Sequence, residues 1–203
     1  FGIAQNQPMS FDIEVDDFDP SAVQALLGSK TKLGGSIAAH VGLSGTMHSP
    51  QIFGHAEISN GSYVSDLDTV PVTATVAAVT FNRRTATLQS FRGFFGSGTI
   101  GAAGDLSFAQ GFGVGGDVSY AFHAVASGAQ VNLPAYGSGA IDGTADLVRT
   151  PPGLAKLTGA ATLNNGSIPF AAFLGDSSAA ATTSSRPPVN VAWGMKVTAG
   201  KNV

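Results

Sequence analysis

Apolar and polar residues alternate along most of this chain. A period of two leaves little room for anything but extended strands with one greasy and one wet face. The first run is MSFDIEVDDF, where Met9, Phe11, Ile13 and Val15 alternate with Ser10, Asp12, Glu14 and Asp16. Ile37, Ala39, Val41 and Leu43 then stand against Ser36, His40 and Ser44, and Ile52, Ala56 and Ile58 against Gln51, His55 and Glu57. The pattern continues through Val70, Val72, Ala74, Val76 and Ala78, then Ile100, Ala102, Leu106 and Phe108. It resumes with Val118, Tyr120, Phe122 and Ala124, with Ile141, Ala145 and Leu147, and with Val189, Val191, Trp193, Met195 and Val197; Leu88 and Leu163 join the apolar set. The spacing of turn residues predicts about ten to twelve strands, an all-β chain.

A single helix interrupts the pattern. In DPSAVQALLG, Asp19 is placed as an N-cap, Pro20 at the first helical position and Gly28 as the stop, which predicts a helix over Pro20 to Leu27. Val23, Leu26 and Leu27 would plug one end of a sheet. Ser49-Pro50, Asn60-Gly61, Asn165-Gly166 and Pro151 to Gly153 read as turns between strands, Arg83-Arg84 as a hairpin tip, and GDSSAAATTSSRPP from Gly175 to Pro188 as a loop.

The stretch from Gly34 to Tyr63, GGSIAAHVGLSGTMHSPQIFGHAEISNGSY, has a second copy at Gly137 to Ile168. Gly54 and Gly159 stand as far apart in sequence as Gly61 and Gly166, so the copies keep register over their second halves. A repeat this long indicates a repeated sheet module, each unit needing its neighbour. We read two units, over residues 9–130 with the helix at 20–27 and over residues 131–203, within a fragment of a longer repeat protein.

Composition narrows what such a sheet can be. Charged residues make up 11% of 203, far below the roughly 25% of an ordinary soluble domain. Such a chain must hide much of its surface or carry an apolar one. A net charge of −3 offers no basic footprint for nucleic acid, and the lack of cysteine excludes disulfides and thiolate metal sites. No apolar run approaches the ~18 residues of a membrane-spanning helix. Alternation alone is compatible with a sealed sandwich or barrel, including a lipocalin-type barrel. However, alanine and glycine occupy many apolar-face positions, which favours an open, curved sheet that keeps its greasy face for another molecule.

The residues also carry a family resemblance. Leu43-Ser44-Gly45-Thr46, Pro50, Ile52, Gly54 and Gly61, followed by Val70-Pro71-Val72 and by Gly96-Ser97-Gly98-Thr99-Ile100 leading to Gly104, resemble the repeat of the TamB C-terminal region within the AsmA-like group of bridge-type lipid-transfer proteins. The resemblance covers roughly Met9 to Phe108 and is weaker over Tyr136 to Ile168, where Leu147-Val148-Arg149-Thr150 replaces Leu-Ser-Gly-Thr. It implies an elongated, curved open antiparallel sheet with a U-shaped groove, the β-taco, and one short helix. It further implies a protein anchored in the inner membrane of a diderm bacterium and spanning the periplasm. Such a protein conducts phospholipid or other acyl lipid between the membranes in outer-membrane biogenesis, with a barrel assembly protein of the TamA or BamA type as its partner.

On this reading the groove lining comprises Ile37, Val41, Leu43, Ile52, Ile58, Val70, Val72, Val76, Leu88, Ile100, Leu106, Phe108, Val118, Tyr120, Phe122, Ile141, Leu147, Leu163, Val191 and Trp193. The competing function is a structural or adhesive β-solenoid segment of an exported protein. No catalytic constellation or cofactor motif is legible. His40 and His55 fall on polar strand faces, His48 falls in a turn, and His123 is distant, so solvated surface is their expected setting. Asp16, Asp17 and Asp19 lack the glycine and closing glutamate of a calcium loop, and Asp66 and Asp68 read as hairpin residues.

Overall fold

The computed structural model describes residues 7–23, 32–64, 70–111, 117–133, 137–167 and 191–203. They form one open sheet of ten strands laid down in sequence order, not closed into a barrel. The strands are β1 (Met9–Phe18), β2 (Lys32–Thr46), β3 (Ser49–Val64), β4 (Val72–Arg83), β5 (Thr85–Phe95), β6 (Gly98–Phe108), β7 (Val118–Leu133), β8 (Gly137–Arg149), β9 (Ala155–Ser167) and β10 (Val191–Ala199). The join expected between units near position 130 falls within β7.

β1 to β9 are antiparallel, as expected, but β10 pairs parallel to β9, with Val191 beside Ala155 and Trp193 beside Leu157. The all-antiparallel expectation is corrected there. A parallel neighbour needs a long return connection, and residues 168–190, which include the loop read at Gly175 to Pro188, lie outside the described residues. Of the predicted helix, Pro20–Val23 forms a 3-10 turn, here η1, and residues 24–27 lie outside the described residues. Asp19 does act as its cap, accepting a 2.8 Å hydrogen bond from the Ser21 N–H.

Asn60-Gly61 and Asn165-Gly166 are not turns. Both lie inside strands, β3 and β9, with Asn60 at φ 50° and Asn165 at φ 47°. The ladder steps from Gly34 opposite Ser62 to Ser36 opposite Ser59, and from Ser138 opposite Ser167 to Ala140 opposite Asn164. In each case one glycine, Gly35 or Gly139, faces two residues across the ladder. That is a β-bulge, which sharpens the local twist. Asparagine tolerates the left-handed conformation a bulge requires, as it does in a turn, so the local signal is shared. The repeat seen in the sequence is thus a repeat of backbone conformation, and Gly54 (φ 118°) and Gly159 (φ 142°) match as well.

The sheet curls enough for the segment leaving β6 to reach the start of β3, its third neighbour. Phe108 N–H donates to the Arg84 carbonyl at the β4–β5 hairpin tip, the Arg84 guanidinium donates to the Ala109 carbonyl, and Ser49 Oγ donates to the Gln110 carbonyl at 3.1 Å. Gly111 then packs against Pro50, where a methyl group would lie 2.6 Å from Cδ. Burial is sparse elsewhere. Among the described residues Ile52, Val72, Ala77, Ala129 and Ala155 are buried, with Pro20 and Pro50, and no large side chain is fully sequestered. Among the described residues, no second layer covers either face.

Candidate functional site: an apolar face across ten strands

Register, read strand by strand, shows how the apolar face is made. Val15, Ala39, Ala56, Val79, Leu88, Gly104, Phe122, Leu147, Leu157 and Trp193 are successive cross-strand partners, one from each strand. A second row beside it runs Phe18, Ile37, Ile58, Ala77, Phe91, Ala102, Ala124, Ala145, Gly159 and Met195. Neither row contains a polar side chain. Directly paired side chains on one face sit about 5 Å apart, so the rows form a continuous hydrocarbon path perpendicular to the strands.

The opposite face, one residue out of phase, carries Glu14, His40, His55, Thr80, Thr87 and Asp105 as consecutive partners. Thr87 Oγ1 donates to Asp105 at 2.6 Å, and His123 Nδ1 lies 2.7 Å from an Asp146 carboxylate oxygen. His40 and His55 stack with ring centroids 6.4 Å apart and remain exposed, and His48 lies in the β2–β3 turn. Among the described residues no group of three or more histidine, cysteine or carboxylate side chains is placed to hold a metal ion. The Asp19 carboxyl is held below its ordinary value, chiefly by the hydrogen bond from the Ser21 backbone. Asp66 and Asp68 lie outside the described residues.

Of the residues read as lining, most fall on the apolar face. Ile37, Val41, Leu43, Ile52 and Ile58 share it on β2 and β3; Leu88, Ile100, Leu106 and Phe108 on β5 and β6; Val118, Tyr120 and Phe122 on β7. Ile141, Leu147, Leu163, Val191 and Trp193 complete the set, and Val72 joins it through its partner Phe95.

Two of those residues do not belong there. Val76 pairs with Arg92 on the polar face and is 48% exposed. The cause is Ala74, whose φ of 48° and the register break around it reverse the alternation within β4. Val70 precedes β4 and lies beside Ser97 and Gln130 at the margin of the sheet. The same reversal brings in Ala77, Val79 and Phe81, which the reading from sequence passed over. Phe91 and Phe95 were missed because a second bulge falls between Leu88 and Phe91. Phe11 and Ile13 of β1 also face this side and are 60% and 53% exposed.

At one margin the face deepens into a recess of about 370 Å³ roofed by Pro20. Leu33, Ile37, Ile58, Val72 and Phe91 line it, with Gly34, Gly61, Ser62, Tyr63 and Thr75. Among the described residues no charged side chain borders it.

Comparisons with family models, with characterised proteins and with solved structures found no match to this chain. The two central rows are extended and carry no polar side chain, which suits a ligand held by its hydrocarbon and not by a headgroup.

Proposed function

We propose that this chain is a segment of a lipid-transfer protein whose apolar face conducts acyl chains. On this proposal it acts in the periplasm of a diderm bacterium, within a longer protein anchored in the inner membrane. It carries phospholipid between the inner and outer membranes together with a barrel assembly protein of the TamA or BamA type. The observation that carries the reading is the pair of rows crossing all ten strands without a polar side chain. The resemblance of Met9 to Phe108 to the TamB repeat supplies the cellular setting.

The energetics favour movement over capture. Full burial of a methylene is worth about 0.8 kcal/mol, so an acyl chain lying in an open trough, with about half its surface covered, gains about 0.4 kcal/mol per methylene. The gain changes little as the chain shifts by one strand, because each strand presents similar side chains. A closed pocket would hold the lipid at one place. The alanines and glycines in the rows keep the trough wide enough to admit a chain without displacing protein.

Photocrosslinking tests this reading. A photoreactive residue at Ile100 or Phe122 should capture phospholipid from cells, whereas one at Val125, on the opposite face, should not. Ile100→Glu should abolish capture at Phe122 while the far-ultraviolet strand signal stays unchanged. Equal capture from both faces, or normal capture in Ile100→Glu, would overturn the proposal.

A further inference from the structure

We infer that the recess beneath Pro20 is a discrete seat for the end of a single acyl chain, an inference that rests on the lipid-conducting reading above. Along most of its width the trough is open on one side, but at the margin of β2 to β5 the η1 turn comes down over it and Pro20 is buried against the strands. The walls are hydrocarbon from Leu33, Ile37, Ile58, Val72 and Phe91. The hydroxyl-bearing residues are Ser62, Tyr63 and Thr75, and Tyr63 is 43% exposed.

The chemistry selects the part of a ligand that enters. Among the described residues, a phosphate or ammonium group placed here would lose its hydration without meeting an opposite charge, which is prohibitive. A hydrocarbon end loses nothing. The volume of about 370 Å³ lies near the lower limit of ligand pockets, about 300–1,000 Å³, and is too small for an entire two-chain lipid. Ile37 and Ile58, which line the recess, also belong to the second row of the trough, followed there by Ala77 and Phe91. A chain can therefore slide from trough to recess without leaving apolar contact. A flat aromatic or a sterol would gain nothing from that continuity, whereas an unbranched chain is guided by it. The face thus combines many equivalent weak contacts with one partly covered position, where a passing lipid pauses with a tail inserted.

Fluorescence titration with cis-parinaric acid tests the seat. The parent protein should show one saturable equivalent. Ile58→Trp, which fills the recess, should weaken that binding about tenfold or more through loss of enclosed methylene contacts. Crosslinking of phospholipid at Ile100 should persist in the same variant, and Val76→Trp on the polar face should bind as the parent does. Leu33→Trp fills the recess from another wall and serves should Ile58→Trp fail to fold. Unchanged binding in a folded filling variant would overturn the seat and leave the conduit standing. Absence of phospholipid at Ile100 in the parent would overturn the conduit and the seat together.

Discussion

Gly35 and Gly61 cross so closely that a methyl group on Gly35 would lie 2.7 Å from the Gly61 Cα, and Gly139 meets Gly166 in the same way at 2.9 Å. These crossings are the matched bulges of β2–β3 and β8–β9. Gly35 carries a second constraint, a φ of 113°, which a residue with a side chain adopts at a cost of about 1–3 kcal/mol. Gly35→Ala should therefore destabilise by at least about 2 kcal/mol, and Gly139→Ala, with the steric penalty alone, by about 1–3 kcal/mol. Urea unfolding checks both. A change under half a kilocalorie at either site would mean that the strands separate there without consequence.

The reversal inside β4 gives a sharper test of which face is which. Val76→Lys places a charge among solvent and Arg92 and should change stability by no more than about 0.5 kcal/mol. Ala77→Lys, at a position 7% exposed between Ile58 and Phe91, should cost several times as much, about 3 kcal/mol or more, since its ammonium would be buried without a partner. Alternation read from the sequence expects the opposite order, so thermal unfolding of the two variants distinguishes the readings.

That contrast shows how far the sequence could be read. Strand number and type were legible because period two imposes itself wherever one face is apolar, and Arg83-Arg84 is the hairpin tip it was read to be. Absolute face was legible only as far as the next bulge. Ala74 carries no mark of its left-handed backbone, so Val72 and Val76 looked equivalent. Asn60 and Asn165 do carry such a mark, but turns and bulges require the same conformation of an asparagine. The parallel placement of β10 had no local signal at all, because Val191 to Val197 alternate identically in either direction. The recess was half visible: Pro20 and Asp19 announced a capped turn, yet Leu33, Ile58 and Phe91 come together only through register.

The cap itself titrates. The Ser21 N–H holds the Asp19 carboxyl below the usual aspartate range. A depressed folded-state value means that the cap's contribution is complete above the unfolded value and is lost as pH falls through the folded one. Carbon-detected titration should place the Asp19 midpoint below that of a free aspartate, and the Ser21 amide shift should follow it. Asp19→Asn keeps a capping oxygen and should remove that pH dependence. A Ser21 amide that tracks no titration in the parent would show the cap to be open in solution.

Two aspartates on β8 should differ in weight although they stand four residues apart. Asp146 meets His123 at 2.7 Å, but the two side chains are 49% and 55% exposed, so solvent screens the pair and Asp146→Asn should cost only about 0–1 kcal/mol. Asp142 accepts from the Gly128 N–H at 2.8 Å and from Asn164 Nδ2 at 2.9 Å, tying the β7 bulge to β8 and β9. Asp142→Ala leaves a part-buried N–H and an amide without their acceptor, and should cost about 1–3 kcal/mol. Because Gly128 sits at φ 57° within that bulge, the loss should also speed hydrogen exchange at Gly128 and Ala129 while leaving Ala103 and His123 protected. Equal exchange at both places would mean that the bulge is held by the ladder alone and that Asp142 is not its tie.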